Sequence, residues 1–117
     1  MPDSSSSFAG GNPFHPGAMV IVTLSNPRDK FWGAILALTG EGLSLSGVEL
    51  ASFDDLVAML KEGGPPSAGV VFFPMHRVER MELDLPDGDV PSLTQRFASR
   101  TGKNAVELLT KVIEERL

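Results

Sequence analysis

At 117 residues, 42% hydrophobic and 21% charged, the chain has the length and balance of one soluble globular domain. It has no cysteine, which removes disulfides and thiol chemistry, and its net charge of −5 opposes general affinity for phosphate backbones or acidic membranes. No apolar run reaches the roughly 18 residues of a transmembrane helix, and Met1–Gly11 lacks the basic start and apolar stretch of a signal peptide; the simplest compartment is the cytoplasm.

In chain order, the Ser- and Gly-rich Met1–Asn12 reads as a disordered tail, with docking of Phe8 or Phe14 on a neighbour as the alternative. Pro13 and Pro16 bracket an extended lead-in. Ala18–Leu24 is a β-branched run and the first strand, and Ser25–Asp29 is a turn in which Pro27 fixes φ and Asp29 can bind nearby amides. Phe31–Leu38 is almost wholly apolar, as suits a strand covered on both faces. Thr39–Gly42 is a turn in which Gly40 or Gly42 supplies a positive φ. Beyond it Leu43-Ser44-Leu45-Ser46 alternates strictly, but Val48 and Leu50 fall out of phase by one. That slip predicts a β-bulge or bend at Gly47, where the sheet folds over.

The period then changes. Phe53, Leu56, Val57 and Leu60 recur at helical spacing within Ser52–Glu62, with Ser52 as N-cap, Asp54 and Asp55 in the first turn, and Gly63-Gly64-Pro65-Pro66 as the stop. Val70–Phe73 reads as a buried strand ended by Pro74, and Met75–Val78 as one tight turn. In the fifth strand Met81, Leu83 and Leu85 form a dry face and Arg80, Glu82 and Asp84 a wet one. Pro86–Pro91 is a linker. Ser92 caps a helix carrying Leu93 and Phe97 that Gly102 closes. Asn104 caps a second helix, with Glu107 placed for a capping box and Ala105, Leu108, Leu109, Val112 and Ile113 as its apolar stripe.

The order βββ-α-ββ fits a small curled sheet. The segment FFPMHRVERMEL is similar to the end of SH3-like and Sm-like barrels, whose fourth and fifth strands are joined by a short 3₁₀ turn, and GAILALTGEGLSLSG resembles the second and third strands of an Sm-like protein. The resemblance covers about Ala18 to Leu85. Joined to the helix signals above, it implies a mainly β fold with α elements: a five-stranded SH3-like or Sm-like barrel at 13–90 with helix 52–62 inserted, followed by the C-terminal helical pair at 91–117. An α+β open sheet is the alternative. The resemblance also implies a habit of ring assembly. It does not extend to the RNA-binding signatures, because the loops that carry them in that family are Thr39-Gly40-Glu41-Gly42 and Pro74-Met75-His76-Arg77 here.

Chemistry is sparse. The two histidines, His15 and His76, lie far apart in sequence with no nucleophile motif beside them, so no enzyme constellation can be named. No zinc or EF-hand spacing occurs, and no cofactor is implied. Glu79, Glu82, Asp84, Asp87 and Asp89 make an acidic run, read as a wet edge rather than a metal site. Arg28, Lys30 and Trp32 form a basic-plus-aromatic cluster able to stack a base or peptide, although Trp32 also suits a core. His76, Arg77 and Arg80 could hold an anion or simply sit solvated. The acidic run and the mildly basic C-terminal helices suit contact with each other, within one chain or between copies. Two functions remain open: a non-catalytic oligomerisation or binding module, most simply a homo-oligomer with the C-terminal helices as a further protein-contact surface, or an Sm-like RNA-binding or other nucleic-acid-binding protein using Arg28, Lys30, Trp32, His76 and Arg77.

Overall fold

Strands β1 (Met19–Leu24), β2 (Asp29–Leu38), β3 (Gly42–Glu49), β4 (Gly69–Pro74) and β5 (Val78–Leu83) form one antiparallel sheet in the order β4-β3-β2-β1-β5. Helices α1 (Phe53–Lys61), α2 (Leu93–Thr101) and α3 (Ala105–Arg116) complete an α+β protein. The computed structural model describes residues 11–116, apart from the side chains of 113, 115 and 116, so the expected tail lies outside it up to Gly10. No helix among the described residues is long and apolar enough to cross a membrane.

Both faces of the sheet are apolar. Val20, Val22, Leu24, Ile35, Leu43, Leu45 and Phe73 bury one face, with Phe31, Val71, Val78, Met81 and Leu83 packed around them. On the other face Met19, Trp32, Ala34 and Val48 meet Phe53, Leu56, Val57 and Leu60 of α1, Phe97 of α2 and Leu109 of α3. Successive residues of a strand point to opposite faces, so the phase change in β3 needs no inserted residue. Leu43 and Leu45 point inward, and Val48 points out to the helices. The bulge expected at Gly47 is therefore absent; Gly47 pairs in register with Gly33 and Gly69, and the slip lies in β2, where Leu36 is the extra residue between Ile35 and Ala37.

The sheet must curl, because only Met75–Arg77 separate its two edge strands. From Pro74 to Val78 the chain reaches at most about 15 Å, at about 3.8 Å per residue. Four flat strand spacings would need about 19 Å. Residues from both edges accordingly meet in the inner cluster, Val71 and Phe73 with Val78 and Met81. No ladder joins β4 to β5, however. Among the described residues each edge strand has one partner only and the sheet is not closed into a barrel, which is the open α+β sheet of the alternative.

Glycines permit the curl. Gly33, Gly47 and Gly69 form one row across β2, β3 and β4, in phase with the inward-facing residues. A Cβ on Gly47 would fall on the Trp32 carbonyl oxygen and 2.7 Å from Gly33 Cα, and one on Gly33 would lie 2.9 Å from Gly47 Cα. With no side chains on the concave row the two strands close together. In the 39–42 turn neither glycine has a positive φ, contrary to expectation. Gly42 is needed instead for space, because a Cβ there would lie 2.5 Å from Cζ of Phe72.

The helices follow their sequence signals with two exceptions, Ser52 of α1 and the capping box of α3, of which only the Asn104 half forms. Ser52 stands at the N-cap of α1 but makes no side-chain cap bond, because a 3₁₀ turn over Leu50–Ser52 runs directly into the helix. The expected face Phe53, Leu56, Val57 and Leu60 is buried. Ser92 and Gln95 form a reciprocal capping box on α2, closed at Gly102 with φ 73°, and Asn104 Oδ1 accepts the Glu107 N–H at 3.0 Å. Ala105, Leu109 and Val112 of α3 are buried as expected, with Leu108 half-buried. The buried Ser46 hydroxyl donates to the Leu109 carbonyl at 2.7 Å and pins α3 to β3.

Candidate interaction surface

The basic-plus-aromatic cluster does not form as expected. Lys30, Thr23 and Arg80 align in one row across β2, β1 and β5, and Arg28 approaches the same strand by pairing with Glu79 at 3.9 Å. Carboxylates accompany them, since Arg80 holds Glu82 at 2.9 Å. Arg77 is a structural tie: its Nε donates to the Ser25 carbonyl at 2.8 Å and its Nη2 to the Pro27 carbonyl at 3.0 Å. His76 is exposed in the 3₁₀ turn between β4 and β5. Trp32 is fully buried under the helices, 5.0 Å from the Phe53 ring and 5.5 Å from the Phe97 ring. It is core, so no base or peptide can stack on it. Of the two arginines of α2, Arg100 pairs with Asp54 of α1 at 2.9 Å and Arg96 lies over the Phe53 ring at 5.8 Å.

The tryptophan has a partner that the strand pattern concealed. Trp32 Nε1 donates to Asp84 Oδ2 at 3.0 Å. Asp84 is buried and Leu85 is 65% exposed, the reverse of the expected wet and dry faces. The reason lies in α2. Asp84 Oδ1 accepts the Leu93 N–H at 3.0 Å, and Oδ2 accepts the Thr94 N–H at 2.7 Å and the Thr94 hydroxyl at 2.5 Å. The first two orphan amides of α2 thus go to Asp84 and the third, from Gln95, to Ser92 Oγ at 3.0 Å. One carboxylate ties the end of β5, the buried indole and a helix N-terminus together. This breaks up the acidic run, and no group of three or more metal-binding side chains occurs among the described residues.

Among the described residues no strand lies beyond the β4 edge. Val70 and Phe72 are 42% and 55% exposed, so the strand expected to be buried turns only Val71 and Phe73 inward. The direction of its main chain follows from its neighbours. Gly42 gives its carbonyl to the Thr39 N–H across the turn, facing β2, while the Met75 N–H reaches the Glu41 carbonyl at 2.8 Å. Alternation then sets the bonded β3–β4 pairs at Leu43↔Phe73, Leu45↔Val71 and Gly47↔Gly69. The N–H and C=O groups of Val70 and Phe72 therefore point away from the sheet, beside their own exposed side chains.

The opposite edge is different. β5 carries Glu79, Arg80 and Glu82, and its pairing with β1 slips so that Glu79 is the extra residue. Charges and a bulge are the usual guards of an edge strand. Elsewhere the surface offers a shallow, open depression of about 200 Å³ on α3, lined by Lys103, Asn104, Glu107, Leu108 and Lys111. No family model, curated protein or solved structure matches this chain.

Proposed function

We propose that the chain is a non-catalytic module for self-association and binding, joining copies of itself through the edges of its sheet. The observation that carries this reading is the β4 edge, which among the described residues combines main-chain groups that no strand pairs with exposed Val70 and Phe72 side chains. An exposed, uncharged edge strand is a template for another strand. The SH3-like or Sm-like assignment belongs to the same proposal. It is supported by the strand order, by the 3₁₀ turn Met75–Arg77 between β4 and β5, and by α1 inserted between β3 and β4. Among the described residues Phe97, Ala105 and Leu109 of the C-terminal helices pack against the sheet, so a protein partner would meet chiefly their outer sides.

Light scattering at tens of micromolar tests the reading. The expected mass is at least twice the 12.5 kDa of one chain. A species of one chain's mass at that concentration contradicts it.

A further inference from the structure

We propose that two copies of this chain join by antiparallel pairing of β4 with β4, about a two-fold axis at Val71, rather than by pairing β4 with β5. The inference rests on the self-association reading and specifies its surface and its stoichiometry.

The choice of edge follows from charge. The residues of β4, GVVFFP, carry no ionisable group, and their register with β3 runs unbroken from Gly69 to Pro74. A strand laid beside them must be equally neutral, because any charge set against Val70 and Phe72 would lose water without gaining a partner. The strand β5 fails that condition through Glu79, Arg80 and Glu82, and its bulge interrupts the flat run of donors and acceptors. Its far end is also committed, since Asp84 turns inward to α2 immediately after it. The neutral strand at hand is β4 itself. A surface complementary to itself makes a closed two-fold pair rather than a ring or a filament.

The register follows from the direction of the main chain. The outward groups belong to Val70 and Phe72, and in a continuous sheet the inner face of one copy must meet the inner face of the other. With the axis at Val71, Val70 of each copy lies opposite Phe72 of the other. Each such pair exchanges two N–H···O=C bonds, and the apolar side chains of both pairs meet on the outer face. Moving the axis to Phe72 would set Val70 opposite Pro74, which has no N–H to return. Moving it to Val70 would set Phe72 opposite Ala68, which is buried and lies before the strand, so the Val71 register is the one that satisfies every outward group of Val70 and Phe72 from within β4. An edge of six residues is small beside the roughly 1,200–2,000 Å² of a stable interface, so the dimer forms at micromolar concentration and dissociates on dilution.

The test combines mass with two kinds of variant. Wild-type chain at tens of micromolar should scatter at twice 12.5 kDa, and Val70→Lys and Phe72→Lys should each return it to one chain's mass. Both side chains are exposed, so far-UV circular dichroism stays that of the wild type. Arg80→Ala on β5 should leave the dimer intact. The chain has no cysteine, so an equimolar mixture of Val70→Cys and Phe72→Cys chains should cross-link under mild oxidation, at least several-fold faster than either alone. An assembly that survives both lysine variants, or one that Arg80→Ala dissolves, overturns the β4 pairing and leaves self-association standing. A monomeric wild type overturns both and gives the edge to a strand from another protein.

Discussion

Replacing Asp84 by alanine is expected to lower the free energy of unfolding by about 3 kcal/mol or more. Three N–H donors and one hydroxyl end on its two oxygens: the Trp32 indole, the Leu93 and Thr94 amides and the Thr94 hydroxyl. Alanine leaves them without an acceptor where water is largely excluded, since Asp84 is only 9% exposed. Each stranded buried donor costs about 1–3 kcal/mol, and loss of a helix N-terminal acceptor alone costs about 1 kcal/mol. Some of the helix-end amides regain water as α2 frays, which keeps the total below the simple sum. Asp84→Asn should fall between, because one amide oxygen can serve fewer donors and its NH₂ faces others. Urea unfolding followed by the fluorescence of Trp32, the single tryptophan, checks this. A loss under about 1 kcal/mol for the alanine variant would mean that α2 is held by Phe97 and Leu93 alone.

The second large effect is expected at Gly47. A methyl group there meets main chain, the Trp32 carbonyl oxygen and Gly33 Cα at 2.7 Å, which have no side-chain freedom with which to yield. The strands must part or the curl must open, and overpacking of this kind costs about 1–3 kcal/mol or more. Gly47→Ala is therefore expected to destabilise by about 3 kcal/mol or to abolish folding. Gly69→Ala makes the same chemical change in the same glycine row, but its Cβ has nothing within 4 Å. It should stay within about 1 kcal/mol of wild type. Thermal melts of the pair decide the matter: equal behaviour would show that close approach between β2 and β3 plays no part in the curl.

Much of this architecture is legible in the residues. The element order, the helix face Phe53, Leu56, Val57 and Leu60, the capping residues Ser92 and Asn104 and the stop at Gly102 all follow from local rules that act within one or two turns. What escaped is long-range. The misplaced bulge came from assuming that a half-alternating strand has one dry face, whereas β3 has two, with Leu43 and Leu45 on the inner cluster and Val48 on the outer. The inversion of Asp84 and Leu85 has the same origin: a helix N-terminus nine residues downstream needs an anion more than the strand needs its period. One signal was available, because a buried Trp requires an acceptor for its indole N–H, but nothing local says which carboxylate supplies it. The exposure of Val70 and Phe72 was hidden for a related reason, since a run of four apolar residues does not say whether its strand lies at an edge or in the middle. Spacing groups Arg28, Lys30 and Trp32 but does not tell that Trp32 lies under the helices, nor that Arg28 pairs with Glu79 and Arg80 with Glu82.

Amide hydrogen exchange at Val70 and Phe72, measured against protein concentration, tests the reading of β4 as the joining edge most directly. Their N–H groups point away from β3, and among the described residues no strand lies across the edge to accept them. Protection of these two amides is expected to rise with concentration and to vanish on dilution, while the Val71 and Phe73 amides, bonded to β3, stay protected throughout. Fast exchange at Val70 and Phe72 that ignores concentration, in a sample whose mass exceeds one chain, would contradict it.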